Sequence, residues 1–321
     1  AEYEAGLLTT TGTDEHVARL NQIASARNLE EIRPHPPAWS ENKTETNIYD
    51  QLGLPFIGPE LRGGPDAIDA ALAGNLPTLV ELSDLRCDLH IHTNWSDGRG
   101  SIREMVEAAK SLGHEYIAIT DHSQSSRIAN GLSPERLLEQ IKHIRELNAE
   151  IDGIEVLVGS EVDIRRDGSL DFPDEILAQL DIVVASIHSG FTMSEAEMTE
   201  RMICAIQNPF VKIIGHPTGR LLGRRSGYAL NLDAVISAAA AHRVALEINA
   251  SPSRLDLGPS AVRKARACGV LLAVNTDGHA TSQLESGTFG INVAKRGWLE
   301  KKDVLNTYSL AELRGLLGRG L

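Results

Sequence analysis

From residue 85 onward the chain alternates two hydrophobic patterns. Short apolar runs rich in β-branched residues predict strands at 85–90, 116–120, 154–159, 181–187, 211–215, 243–248 and 270–275. Between most of them, apolar residues recur at helical spacing, over 102–112, 134–147, 195–207, 232–241 and 260–267. Near-continuous apolar strands joined by helical crossovers imply a parallel sheet covered on both faces. Seven such units in about 200 residues exceed what an open sheet usually carries, so the pattern predicts an α/β fold closed into a distorted, TIM-like (β/α)7 barrel.

The chain before residue 85 reads differently. Residues 1–40 predict a small α/β unit: an apolar run at Ala5-Gly6-Leu7-Leu8, then Thr13 capping a helix that carries Asp14 and Glu15 in its first turn, then a return strand at Leu29-Glu30-Glu31-Ile32. Arg33-Pro34-His35-Pro36-Pro37 is a breaker, and His16 and His35 are expected at the surface. Residues 41–84 read as a linker with short helices over 46–52 and 65–73. The first residue is Ala, so the expectation is a boundary or a processed end with residues missing upstream.

Composition narrows this only a little. Of 321 residues, 42% are hydrophobic and 23% charged, ordinary for a globular protein. No apolar run approaches the roughly 20 residues of a membrane span, and none is expected. Three cysteines, far apart and odd in number, suit reduced thiols in the cytoplasm. A net charge of -13 argues against electrostatic coating of nucleic acid, but not against metal-assisted work on phosphates, because cations reverse the local sign.

Functional groups in parallel barrels sit at the carboxyl ends of the strands. Here those ends read His90 and His92; Asp121-His122; Glu161 and Asp163; His188; His216; Glu247 and Asn249; and Asp277 with His279. Six of the eleven histidines lie there. His90 and His92 share one face of a strand, and Asp97 follows on the next loop. Any one of these histidines could be a hydrogen-bonded core residue. Their repetition at strand after strand points to a metal cluster of His, Asp and Glu without thiolates, suited to Mn, Zn or Fe. Nine candidates (His90, His92, Asp97, His122, Glu161, His188, His216, Asp277 and His279) are too many for one ion. Glu161, central in the set, is the natural bridge. His114, His143 and His242 receive no role.

The motifs DLHIHTNWSDG at 88–98, ITDHS at 119–123, GSEVDI at 159–164, ASIHSG at 185–190, GHPTGR at 215–220 and NTDGH at 275–279 resemble those of the polymerase and histidinol phosphatase (PHP) family of metal-dependent phosphoesterases. That resemblance, from residue 85 to the C-terminus, implies a distorted seven-stranded barrel with three divalent ions. By position, His90, His92, Glu161 and Asp277 would hold one ion; Asp97, His122 and His279 a second; His188 and His216, with Glu161 bridging, the third. Many family members have histidine where Asp97 stands, and oxygen for nitrogen favours a harder ion such as Mn. A narrower resemblance covers ETNIYDQLGLPFIGPELRG, NPFVKIIGHPTGRLLGRR, EINASPSRLDL and VAKRGWLEKKDVLNTYSLAEL: all are similar to bacterial and archaeal family X DNA polymerases, which carry a PHP domain after the polymerase. Residues 1–40 would then be the end of the polymerase thumb, with Thr11-Gly12-Thr13 as its turn. Thr9-Thr10 departs from the usual aromatic pair. The palm carboxylates would lie upstream, so this chain is not expected to polymerise DNA.

The implied chemistry is phosphoester hydrolysis: 3′–5′ exonuclease action or other 3′-end processing of DNA in repair. The rivals are a small-molecule phosphatase of the histidinol phosphatase kind and a non-catalytic structural domain. Glu161 and Asp277 are catalytic candidates through their ions. Arg220 and Arg254, with Arg224 and Arg225 nearby, are candidates for gripping phosphates. Asp121, Asp163 and Asn249 could orient ligands, and Trp95 could stack on a base or sugar.

Overall fold

The computed structural model describes residues 2–32 and 44–317, in two compact units, 1–78 and 79–321. The breaker at 33–37, including His35, lies outside the described residues.

The described part of the first unit is helical: α1 (Glu2–Thr11), α2 (Asp14–Ala26), α3 (Glu45–Gln51) and α4 (Asp66–Leu72). Thr13 caps α2 as its sequence predicts, its side chain accepting from the His16 amide. The α/β expectation is corrected here. The run Ala5–Leu8 lies within α1, and Leu29–Ile32 pairs with no strand among the described residues; Asn21 instead exchanges two side-chain hydrogen bonds with the Ile32 backbone. His16 is not at the surface either. It is fully buried, with Nδ1 2.9 Å from the Gly64 carbonyl and Nε2 3.3 Å from the Tyr49 hydroxyl. The unit's centre is Arg62, also fully buried, which donates to Glu45 at 2.6 Å, to Thr11 and to the Ile57 carbonyl. Satisfying that many donors is what makes a buried guanidinium tolerable.

The second unit is the barrel. Its strands are β1 (Cys87–Ile91), β2 (Tyr116–Ile119), β3 (Glu155–Asp163), β4 (Ile182–Ser186), β5 (Ile213–Ile214), β6 (Ala245–Asn249) and β7 (Leu272–Asn275), all parallel and adjacent in chain order. The crossovers are α5 (Ile102–Ser111), α6 (Pro134–Asn148), α7 (Asp174–Leu177), α8 (Glu195–Gln207), α9 (Leu232–His242) and α10 (Pro259–Ala267); α11 (Gly287–Arg296) and α12 (Leu310–Leu316) follow β7. The five expected helices form within a residue or so of their sequence bounds, several with Ser caps or capping boxes.

The sheet closes on itself incompletely. Between β1 and β7 there is one bridge, Ile91 with Gly278, and side chains fill in for missing backbone pairs. Asn275 Oδ1 accepts from the Leu89 amide; Asn306 donates to the Cys87 carbonyl and accepts from the Val274 amide. β3 is the other irregularity: residues 155–158 pair with β2, and 159–163 pair with β4, Glu161 also bridging to His122 beyond the end of β2.

Alternate strand residues build two cores. Ile117, Val156, Val183, Ile214, Leu246 and Val274 pack outward with the helices. Cys87, Leu89, Tyr116, Leu157, Ile182, Val184 and Ile213 form a separate inner cluster with Leu305 and Leu313. By strict alternation, a strand that turns Leu89 inward would turn His90 outward. The register of β1 shifts between Asp88 and Ile91, which returns His90 and His92 to the interior above the inner core. Gly215 makes room for this polar layer: a Cβ there would lie 2.3 Å from Ser186 Oγ and 3.5 Å from the His90 ring.

Candidate metal centre

All nine candidates converge at the carboxyl end of the barrel. The ligand atoms of eight form three overlapping groups: His90, His92 and Asp277; His92, Asp97, His122 and His279; and His122, Glu161 and His188; His216 joins them through Glu161. Glu161 lies inside the long β3 and is buried. Its two oxygens divide the cluster. Oε2 is 3.5 Å from the Nε2 atoms of both His90 and His92 and 2.9 Å from His122 Nδ1; Oε1 is 3.3 Å from His188 Nε2 and 2.9 Å from His216 Nε2. Asp277 Oδ1 is 3.1 Å from His92 Nε2 and 3.7 Å from His90 Nε2. Asp97 Oδ1 is 3.3 Å from His279 Nε2 and 3.6 Å from His122 Nε2. His216 and Asp277 both take positive φ, 27° and 53°, conformations uncommon for such residues and concentrated at functional sites.

Several of these atoms are buried yet form no hydrogen bond: His90 Nε2, His92 Nδ1 and Nε2, His122 Nδ1 and Glu161 Oε2. The His122–Glu161 separation would allow one, but the atoms are not aligned for it. Buried polar atoms are otherwise almost always paired. Lone pairs aimed past one another toward common centres are what shared cations require, so the residues fit a metal cluster.

A ring of acceptors behind the cluster fixes which nitrogen faces it. Glu247, fully buried, takes His90 Nδ1 at 2.7 Å on one oxygen and the His216 amide at 2.6 Å on the other. Asp163 takes His188 Nδ1 at 2.8 Å, and the Asp277 carbonyl takes His279 Nδ1 at 2.8 Å. Each contact leaves Nε2 for the cluster. Asn249 donates to Asp277 Oδ2 and to Glu247. Asp121 accepts no hydrogen bond from an imidazole among the described residues; it anchors the loop after β1 by accepting from Thr93, Ser96 and Gln140. Glu247 received no role from sequence. The signal was its place at the end of β6.

Electrostatics press the same way. Burial opposes charge on Glu161, but His188, His90 and His122 outweigh it and hold the carboxyl well below the usual range. Burial also opposes charge at His188 and His279, yet Glu161 and Asp163 lift the first to about 10, and Asp97 and Asp277 lift the second to about 9. Burial, with His122 and His279 beside it, pushes His92 down to about 3. The carboxylates therefore demand positive charge, which protons or metal ions can supply.

The centre floors a cavity of about 810 Å³. Arg254 reaches it, with Nε 3.4 Å from Asp277 Oδ2. Arg220 does not line it: its guanidinium donates to the Arg254 carbonyl (2.9 Å) and to the Leu255 carbonyl, so it props the loop that carries Arg254. Arg225 is likewise engaged, on the Gly219 carbonyl and over the Phe191 ring at 4.1 Å. Trp95 packs against the outer core and lies 6.2 Å from the His143 ring, away from the cavity lining.

The PHP domain model matches residues 88–251. The chain belongs to the PHP family. Asp277 and His279 lie beyond the matched span but complete the same geometric cluster. The PHP chain is 43% identical over 314 residues to the DNA polymerase/3′-5′ exonuclease PolX of Bacillus subtilis (strain 168), a match covering 96% of this chain and 55% of that protein. It thus spans about half the length of that relative. It is 32% identical over 231 residues to a probable phosphatase of Thermoanaerobacter sp. (strain X514), covering 68% of this chain and 89% of that one. Among solved structures it is similar to histidinol phosphate phosphatase from Lactococcus lactis, complexed with zinc, L-histidinol and phosphate, at 21% identity and TM-score 0.48, covering 65% of this chain and 93% of that one. PHP membership, with the curated sequence relatives, makes the protein a metal-dependent hydrolase of the phosphoesterase type. Among the described residues no helix is long and apolar enough to cross a membrane.

Proposed function

We propose that this PHP domain hydrolyses phosphodiesters at the 3′ ends of DNA, as a 3′–5′ exonuclease acting in repair in the cytoplasm. Upstream polymerase domains in the full-length protein would be its partners. The observation that carries the reading is the convergence of nine donor side chains, seven of them lining one cavity beside Arg254, with His90 and His92 buried beneath it. The B. subtilis relative supports the choice of substrate.

His90, His92 and Asp277, then Asp97, His122 and His279, then His188 and His216 would hold three divalent ions, with Glu161 shared among them. Mn is the expected occupant, given three carboxylates among imidazoles, with Zn or Fe as alternatives. When bound, such ions lower the pKa of a bound water toward neutrality and neutralise phosphoryl oxygens. The chain's own contribution is orientation. Glu247 and Asp163 hold His90 and His188 in the right tautomer, and Asn249 fixes Asp277. Arg254 offers a guanidinium to a phosphate oxygen. Arg220 holds Arg254's loop and need not touch substrate.

A second reading, a small-molecule phosphatase, is favoured by the probable phosphatase relative, most of whose length is matched. One experiment separates them. The Mn-loaded chain is offered a 5′-labelled oligonucleotide, a 3′-phosphate oligonucleotide and histidinol phosphate in parallel. Shortening of the labelled strand from its 3′ end is expected. Phosphate release from histidinol phosphate alone would remove the DNA reading, and inactivity on all three would leave a structural role.

A further inference from the structure

The rim over β2 and β3 carries a feature that the hydrolytic centre does not use. Ile128 is 106% exposed, the most exposed large hydrophobic side chain among the described residues, yet it lines the charged cavity. Its loop is pinned. The Ser125 amide donates to Asp171 at 2.7 Å, and Asn130, in a left-handed turn, donates to the Trp95 and Ser96 carbonyls. Gly131 lies so close to the next turn that a Cβ would meet Ser123 O at 1.9 Å. Ser126 donates to Asp163 Oδ2 at 2.7 Å, on the same carboxylate whose other oxygen holds His188. The loop is therefore built against the centre, and the exposure of Ile128 is imposed by that structure.

Two cations flank it. Arg127 and Arg166 also line the cavity and are exposed, and neither side chain has a hydrogen bond or a salt bridge among the described residues, Glu197 acting on Arg166 only through longer-range attraction; Arg165 beside them pairs with Asp171 at 3.2 Å. In a chain of net charge -13, unpaired guanidiniums beside an apolar knob at the mouth of a phosphoester site match one ligand chemistry. A nucleic-acid strand offers phosphates at regular intervals and flat apolar base faces between them.

We propose that Arg127, Ile128 and Arg166 form a clamp for a single nucleic-acid strand, the guanidiniums on successive phosphates and Ile128 against a base, one or two nucleotides from the bond at the centre. This rests on the phosphoester reading of the cavity, and it locates substrate selection on the β2 and β3 loops. The clamp would separate a polynucleotide from a small phosphomonoester, which is too short to reach it.

The test is fluorescence anisotropy on the full chain with Mn. The probe is a 5′-fluorescein oligothymidylate of ten residues whose 3′ linkages are phosphorothioate, so that it is bound and not cut. Arg127→Ala/Arg166→Ala should raise Kd at least about tenfold at low salt and lower the salt slope by about 1.4, near 0.7 for each phosphate released. Ile128→Ser should raise Kd about threefold with the slope unchanged. Lys142→Ala/Lys264→Ala, which removes two exposed cations of the barrel that do not line the cavity, controls for net charge. A Kd within twofold of the parent in the double variant, an equal loss in the charge control, or equal binding of polyglutamate would each overturn the clamp. Rim-dependent binding without hydrolysis of any phosphoester would instead overturn the hydrolytic reading alone, and hydrolysis without rim-dependent binding would overturn the clamp alone.

Discussion

Glu247 Oε1 sits 2.7 Å from His90 Nδ1, and its other oxygen accepts from the His216 amide at 2.6 Å. One buried carboxylate thus sets the orientation of one imidazole and the backbone that carries another. Glu247→Gln keeps the volume but loses the charge that holds His90 in place. Metal affinity should fall about 10- to 100-fold, read by competition with a chelating dye. Unchanged affinity would mean that Glu247 only fills space.

Glu161 reaches five imidazoles through two oxygens. Glu161→Ala should lower the metal-to-protein ratio measured by mass spectrometry and reduce turnover by at least about a hundredfold. The parent's Tm should drop on dialysis against EDTA and recover with Mn, because ions that bind only the folded state stabilise it. The variant's Tm should respond much less. A full metal complement in Glu161→Ala would contradict its shared position.

Arg220 and Arg254 look equivalent in sequence but differ in place. Arg254→Ala should lower kcat about a hundredfold with metal content unchanged, since it removes a cation beside the phosphate. Arg220→Ala should lower kcat by about tenfold and add little in the Arg254→Ala background, because it acts through that residue. Additive losses would show that Arg220 works on substrate independently.

His16 gives a pH dependence remote from the metal centre. Burial depresses its pKa below 6.5, with Arg62 adding to that, although the Gly64 carbonyl opposes it. The unfolded chain therefore binds more protons than the folded one just below pH 6.5. The stability that neutral His16 contributes is present above that pH and is lost as pH falls through it. Protection factors of the α2 amides, taken relative to the intrinsic exchange rate at each pH, should fall on acidification from pH 7.5 to 5.5, and this fall should shrink in His16→Gln. An equal fall in both would remove His16 as the cause.

By itself the sequence determined the alternation of strands and helices, the parallel order, and the nine residues at the strand ends, because periodicity and strand-end position are local properties of the chain. The helices over 134–148 and 195–207 carry their own caps, so their bounds were legible too. Only the tertiary structure decided what depends on contacts between distant residues. The register shift in β1 turns His90 inward against the parity of Leu89. Glu247 meets His90 across 157 positions, a pairing that no local pattern encodes. Arg220 is diverted to backbone carbonyls, and Arg127 and Arg166 are left without a hydrogen bond or salt bridge among the described residues, because a guanidinium's role depends on which acceptors the fold brings within reach. His16 was misplaced for the same reason: a polar residue can be buried when its partners, here Gly64 and Tyr49, arrive from elsewhere in the chain.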